Sequence, residues 1–176
     1  MILRTLLVAA LLVLAGCSPT ASPSSAAPAS PAGSPSAAAG TGGIGFDVLD
    51  DATPATREEA SVEAAFDAAS AADLLDPVPA LDFDSQAVLC LYLGERTGTW
   101  GFSVSGLTIE DGALHIASAE RRPRGGDTAT THPAQCLAVD RAALPAGDLA
   151  VTADDTVSDE FIVGGTIKVP PAGSAP

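Results

Sequence analysis

Positive charge is scarce in this sequence. Eight Lys and Arg stand against 22 Asp and Glu, a net charge of −14, and the only lysine is Lys168. That balance excludes nucleic acid or anionic lipid as a general partner, because both demand clustered cations. Long apolar runs are missing too. The longest, residues 6–14, falls short of the roughly 20 residues that cross a bilayer. With three Cys and two His, no cysteine pair has neighbours to complete a tetrahedral metal site. Aromatic residues are few, with one Trp, Trp100, and one Tyr, Tyr92.

The usual chemical motifs are absent as well. Residues 94–104, GERTGTWGFSV, are rich in glycine but lack the Gly-Lys-Ser/Thr that holds phosphate and metal, and they lie between strands instead of before a helix. Ser103 and Ser105 have no nucleophile-elbow context, and neither His115 nor His132 has a partner motif. Asp82 and Asp84 flank Phe83, so burial of the ring turns both carboxylates to solvent. Asp154, Asp155, Asp159 and Glu160 lack the spacing and glycine of a calcium loop and read as a solvated turn. These absences point to a protein that is not an enzyme and needs no cofactor or metal.

The N-terminus addresses the chain to the cell envelope. One positive charge at Arg4, the apolar run and small residues before Cys17 have the layout of a secretory signal over residues 1–16. Leu14-Ala15-Gly16-Cys17 resembles a bacterial lipobox, which implies cleavage before Cys17 and a diacylglyceryl group on its sulfur. Two acyl chains suffice for stable anchoring to the outer face of a cytoplasmic membrane. An ordinary cleaved signal is the other reading. Residues 17–43 follow as a tether of Ser, Ala, Pro, Gly and Thr that cannot bury enough apolar surface to order itself. As a flexible coil it reaches roughly 28 Å. It serves as a bare spacer or as a stretch for O-glycosylation.

One domain, 44–170, and a flexible tail, 171–176, complete the expected organisation. Thr56 and Glu59 form a capping-box pattern, and the Ala-rich run to Leu75 predicts a helix with Val62, Ala65, Phe66 and Ala69 on its inner stripe. The period then changes to two. Residues 88–93 are apolar on both faces, as in a central strand. The alternation in 100–109 changes face near Ser105 and Gly106, which predicts a β-bulge, and Asp111-Gly112 predicts a tight hairpin into a strand over 113–120. Further strands are expected over 135–140, 149–153 and 161–169. The fold class is mainly β, a small antiparallel sandwich or barrel-like domain with one N-terminal helix packed on it. In the oxidising compartment implied by the signal, Cys90 and Cys136 are expected to form a disulfide.

One group of residues stands out against the acidic background. Arg121, Arg122 and Arg124 form a basic loop after the strand that pairs with 100–109, and Arg96, Thr99 and Trp100 lie in the facing stretch. Arg and Trp are favoured anchors of protein interfaces. Trp100 has two placements open to it, in the core beneath the helix near Phe66 or on a partner face.

Asp82-Phe83, the strand 87–93, GERTGTWGFSV, the Asp-Gly hairpin, Arg122 to Gly126 (RPRGG) and Thr131 to Val139 (THPAQCLAV), in that order, resemble the C-terminal-like domain of PrcB, a protease-complex subunit. The resemblance covers about residues 57–144. Thr99, Trp100, Gly101 and Phe102 occupy the places of a Thr-Gly-Gly-Tyr turn, with Trp100 departing from that pattern. The resemblance implies a β-rich, non-catalytic, extracytoplasmic domain that associates with a protease. The functional expectation is a membrane-tethered protein-interaction module, an accessory or stabilising subunit of a protease complex, that presents Arg96, Thr99, Trp100, Arg121, Arg122 and Arg124 to its partner. Two alternatives are a protease inhibitor presenting these loops and a small-ligand-binding lipoprotein with a hollow between sheet and helix.

Overall fold

The computed structural model describes residues 43–123, 125 and 128–171. The signal segment, Cys17, the tether up to residue 42, Arg124 and residues 172–176 of the tail lie outside the described residues.

In chain order the elements are β1 (Phe46–Val48), β2 (Thr53–Pro54), β3 (Ala60–Ala65), α1 (Ala68–Ala72), β4 (Leu75–Asp76), β5 (Gln86–Leu93), β6 (Arg96–Thr97), β7 (Gly101–Glu110), β8 (Ala113–Arg121), β9 (Thr130–Thr131), β10 (Ala134–Asp140), β11 (Gly147–Asp155) and β12 (Glu160–Val169). A short 3₁₀ turn, Arg141–Ala143, follows β10. Two four-stranded sheets, ordered β1-β10-β5-β3 and β12-β11-β8-β7, carry the fold. Leu89, Leu91, Leu137 and Val139 from the first sheet meet Leu107, Leu114, Ile116, Leu149 and Val151 from the second in one core. The class is mainly β with one helix. No closed barrel forms, but the leading chain stitches the sheets: Ile44 N–H donates to Leu107 O at 2.8 Å, and β1 then pairs with β10.

β5 is buried on both faces, as its sequence requires. Its outer face, Val88, Cys90 and Tyr92, makes a second small core with Ala65, Ala71, Leu74 and Leu75. Cys90 and Cys136 are directly opposite on β5 and β10, with Cα atoms 4.1 Å apart, and are joined by a disulfide. Tyr92 hydroxyl donates to Leu74 O at 3.3 Å, and burial pushes its phenol up to about 12.

The expected helix over 56–75 is corrected. Ala60–Ala65 is extended and pairs antiparallel with β5, and only five residues, Ala68–Ala72, are helical. Alanine favours a helix locally, but β5 is apolar on both faces and would have an open edge on the side away from β10. Pairing there satisfies the backbone groups of that edge, while the second sheet covers one face of β5 and Ala71, Leu74 and Leu75 cover the other. The helix cap is Asp67, whose carboxylate accepts from Ser70 N–H at 2.8 Å, instead of Thr56. Glu63 then pairs with Arg57 at 2.6 Å, a contact that depresses the Glu63 carboxyl.

Three smaller corrections follow from pairing across long sequence separations. β8 and β11 run parallel, although the remaining ladders are antiparallel. β8 extends through Arg121, so this residue is on a strand and not in the basic loop. β11 extends to Asp155, which is only 3% exposed and therefore not part of a solvated turn. The bulge does occur: the β7–β8 register shifts between Val104 and Gly106.

Candidate functional site

Residues 94–100 cross from the first sheet to the second. Gly94 begins the crossing at φ +72°, and a Cβ there would lie 2.7 Å from Ala60 N, so the left-handed turn and the close passage of β3 both require glycine. Arg96–Thr97 then pairs with Thr130–Thr131 as a two-residue ladder. Gly98 N–H donates to Ala129 O at 2.6 Å, and Thr131 hydroxyl donates to Gly98 O at 2.7 Å. These bonds brace the turn that carries Thr99 and Trp100.

Trp100 is half-buried and does not enter the core beneath the helix. Its indole N–H donates to Thr97 O at 3.0 Å, which folds the ring back on its own turn. The Arg96 guanidinium lies 5.9 Å from the ring centroid, and that of Arg122 lies 5.8 Å from it. Both are within the range in which a ring face attracts a cation. Arg122 also pairs with Glu160 on β12. Arg121 is opposite Gly101 across β7–β8, where a Cβ on residue 101 would come within 3.3 Å of Arg121 Cβ. Arg96 and Arg122 are thus brought to the Trp100 ring, Arg121 lies opposite the next residue, Gly101, and exposed Thr99 precedes Trp100; Arg124 lies outside the described residues.

One apolar residue of the site escaped sequence reasoning. Val157 is 72% exposed and borders a shallow hollow of about 470 Å³ with Gly101, Ser103 and Arg121. The available signal was a lone valine inside an acidic turn. Asp155 is the second kind of omission, a buried anchor. Its carboxylate accepts from the N–H groups of Glu120, Val157 and Ser158, each at 3.1 Å, and from the Ser158 hydroxyl. Those bonds hold its carboxyl down to about 2, with the Ser158 hydroxyl contributing most. Burial, with the Asp155 charge adding to it, raises the neighbouring Glu120 carboxyl. Asp155 therefore ties the end of β8, and with it Arg121 and Arg122, to the β11–β12 turn.

The two histidines have structural partners. His115 Nδ1 is 2.8 Å from Thr152 Oγ1, and His132 Nδ1 is 3.0 Å from Arg57 O. Among the described residues no group of His, Cys, Asp and Glu is arranged to hold a metal ion. No described helix is long and apolar enough to cross a membrane.

The Arg122–Glu160 pair is exposed on both sides, 56% and 62% by side chain, so solvent screens it. Arg122→Ala is accordingly expected to change the unfolding free energy by no more than about 0.5 kcal/mol. Denaturant unfolding checks this, and the variant can then report on binding separately from folding.

Comparison of the chain with family models, with curated proteins and with solved structures returns no match.

Proposed function

We propose that this chain is a lipoprotein, tethered through a diacylglyceryl group on Cys17 to the outer face of a bacterial cytoplasmic membrane, that works as a non-catalytic protein-interaction module. Its contact surface is the edge formed by Arg96, Thr99, Trp100, Arg121 and Arg122, with Arg124, two positions after Arg122 in sequence, as the remaining candidate. The observation that carries this reading is the half-buried indole of Trp100 with two guanidiniums 5.9 and 5.8 Å from its ring centroid, on a protein of net charge −14. Trp and Arg dominate interface hot spots because they bury large amphipathic surfaces and donate directed hydrogen bonds. Exposed Val157, which shares a hollow with Gly101 and Arg121, adds apolar area. A partner presenting carboxylates would meet the local positive charge and avoid the acidic remainder. The resemblance to the PrcB C-terminal-like domain makes an extracytoplasmic protease complex the specific candidate partner.

The test is a photoreactive residue placed at Thr99 in the full-length lipoprotein in its own cells, with Glu110 at the other end of β7 as control site. Discrete protein adducts are expected from position 99 and not from position 110. Adducts absent from both, or identical from both, would remove the assignment of this edge.

A further inference from the structure

A second site involves none of the residues of the Trp100 edge. Between α1 and the end of β12 lies a cavity of about 680 Å³, within the size range of small-molecule pockets. Its walls include Ala64, Phe66, Val169 and Pro170, so most of the lining is apolar. Two cations, Arg141 and Lys168, also line it, with Asp67 as the carboxylate on the opposing element. Both Asp67 oxygens are already engaged, one by Ser70 N–H and the other by Ser70 hydroxyl, each at 2.8 Å.

Arg141 is the unusual member. It is only 7% exposed, yet no carboxylate among the described residues pairs with it. Its Nη atoms donate to two neutral carbonyls, Phe83 O at 3.2 Å and Pro171 O at 3.3 Å, and its Nε is buried with no hydrogen-bond partner among the described residues. Its guanidinium carbon lies 5.7 Å from the Phe66 ring centroid. A guanidinium removed from water without a counter-charge is expensive. An anion entering beside it offsets that cost, and the planar fork of donors matches a carboxylate in particular.

We infer that this cavity binds a small apolar carboxylate, with its acid group toward Arg141 and Lys168 and its hydrocarbon body against Phe66, Ala64 and Val169. Charge complementarity selects the acid: the cavity has two cations against one engaged carboxylate, in a chain that is otherwise strongly acidic. The Phe66 ring and the aliphatic walls select an apolar body over a sugar or a free inorganic anion.

Calorimetric titration of the full-length chain in mild detergent tests this, with para-butylbenzoate as probe, its neutral isostere para-butylbenzamide as comparator and detergent alone as blank. The acid is expected to bind about tenfold or more tightly than the amide. Lys168→Gln, at an exposed position, should weaken the acid about threefold and leave the amide unchanged. Ala146→Trp, at the exposed rim, should fill the cavity and remove binding of both. Arg141→Gln should erase the preference for the acid; if it fails to fold, the Lys168 and Ala146 variants decide. Equal affinity for acid and amide, no binding of the acid at millimolar concentration, or acid binding that survives Ala146→Trp would each overturn the assignment.

Discussion

Replacing both Cys90 and Cys136 by alanine is expected to lower the unfolding free energy by about 4 kcal/mol and the melting temperature by roughly 12–20 °C. The bond links residues 46 apart in sequence, so losing it releases a long loop in the unfolded chain. The folded state loses something as well. The sulfurs belong to the second core, where Val88, Tyr92, Leu74 and Leu75 cover the outer face of β5. This core is small and has the loops between β3 and β5 as its cover. Loosening it should expose those loops to protease before the main sandwich unfolds. Calorimetry and limited proteolysis of the double variant check both effects, and reduction of the wild-type protein should reproduce them. A double variant as stable as wild type would mean that the bond contributes nothing to the fold. The dependence also bears on location, since a domain relying on this bond suits an oxidising compartment.

The second large effect is expected at Asp155. Asp155→Ala removes the acceptor of three backbone N–H groups and one hydroxyl. Water can reach the N–H groups of the exposed residues Val157 and Ser158, whereas that of Glu120 belongs to a half-buried strand end. A cost of about 3 kcal/mol follows from losing bonds to a charged acceptor and stranding one donor. The same carboxylate sets an acid limb. Its folded value of about 2 lies below the unfolded value of roughly 3.9, so ionised Asp155 favours the folded state. Its stabilisation is complete above about pH 5 and is lost as pH falls through about 2. Glu63 and Asp67, also depressed, act in the same direction. Glu120 is raised and acts oppositely, its ionisation opposing folding. Denaturant unfolding from neutral to acid pH should therefore show a steeper acid loss in wild type than in Asp155→Asn. Superimposable curves would show that Asp155 carries no part of it.

Much of the fold was legible because the signals concerned were local. The run from Val88 to Leu93 identifies a strand buried on both faces, Asp111-Gly112 identifies the β7–β8 hairpin, and the break in alternation at Gly106 identifies the bulge. The cysteine pair was readable from compartment and number. What failed were features decided by distant partners. Alanines at 60, 64 and 65 carry a helical preference, but the open edge of β5 outweighs it. The parallel pairing of β8 with β11 has no signature in either segment. Asp155 looks like one acid among four, and only its burial against Glu120 distinguishes it.

The candidate edge was legible in part for the same reason. Arg96, Trp100, Arg121 and Arg122 could be grouped because a hairpin brings the ends of β7 and β8 together. The choice between core and surface for Trp100 could not be made from sequence, since the ring's position depends on the β6–β9 ladder and on Arg122 approaching from across that hairpin. Val157 reaches the neighbourhood only through the β11–β12 turn. Arg141 had no distinguishing context at all, because its isolation from carboxylates exists only in the folded chain.

The central claim is that Trp100 and its arginines face a protein partner. The most direct measurement is quantitative capture of the full-length protein from cross-linked cells, comparing wild type with Trp100→Ala and Arg122→Ala combined. Trp100 lies outside both cores, against its own turn, and Arg122 is exposed, so the double variant should remain folded by circular dichroism and melting. The account predicts a reproducible extracytoplasmic protein with wild type whose recovery falls at least about tenfold with the double variant, the loss expected of interface anchors. Recovery of the same proteins in the same yield from both forms would contradict it.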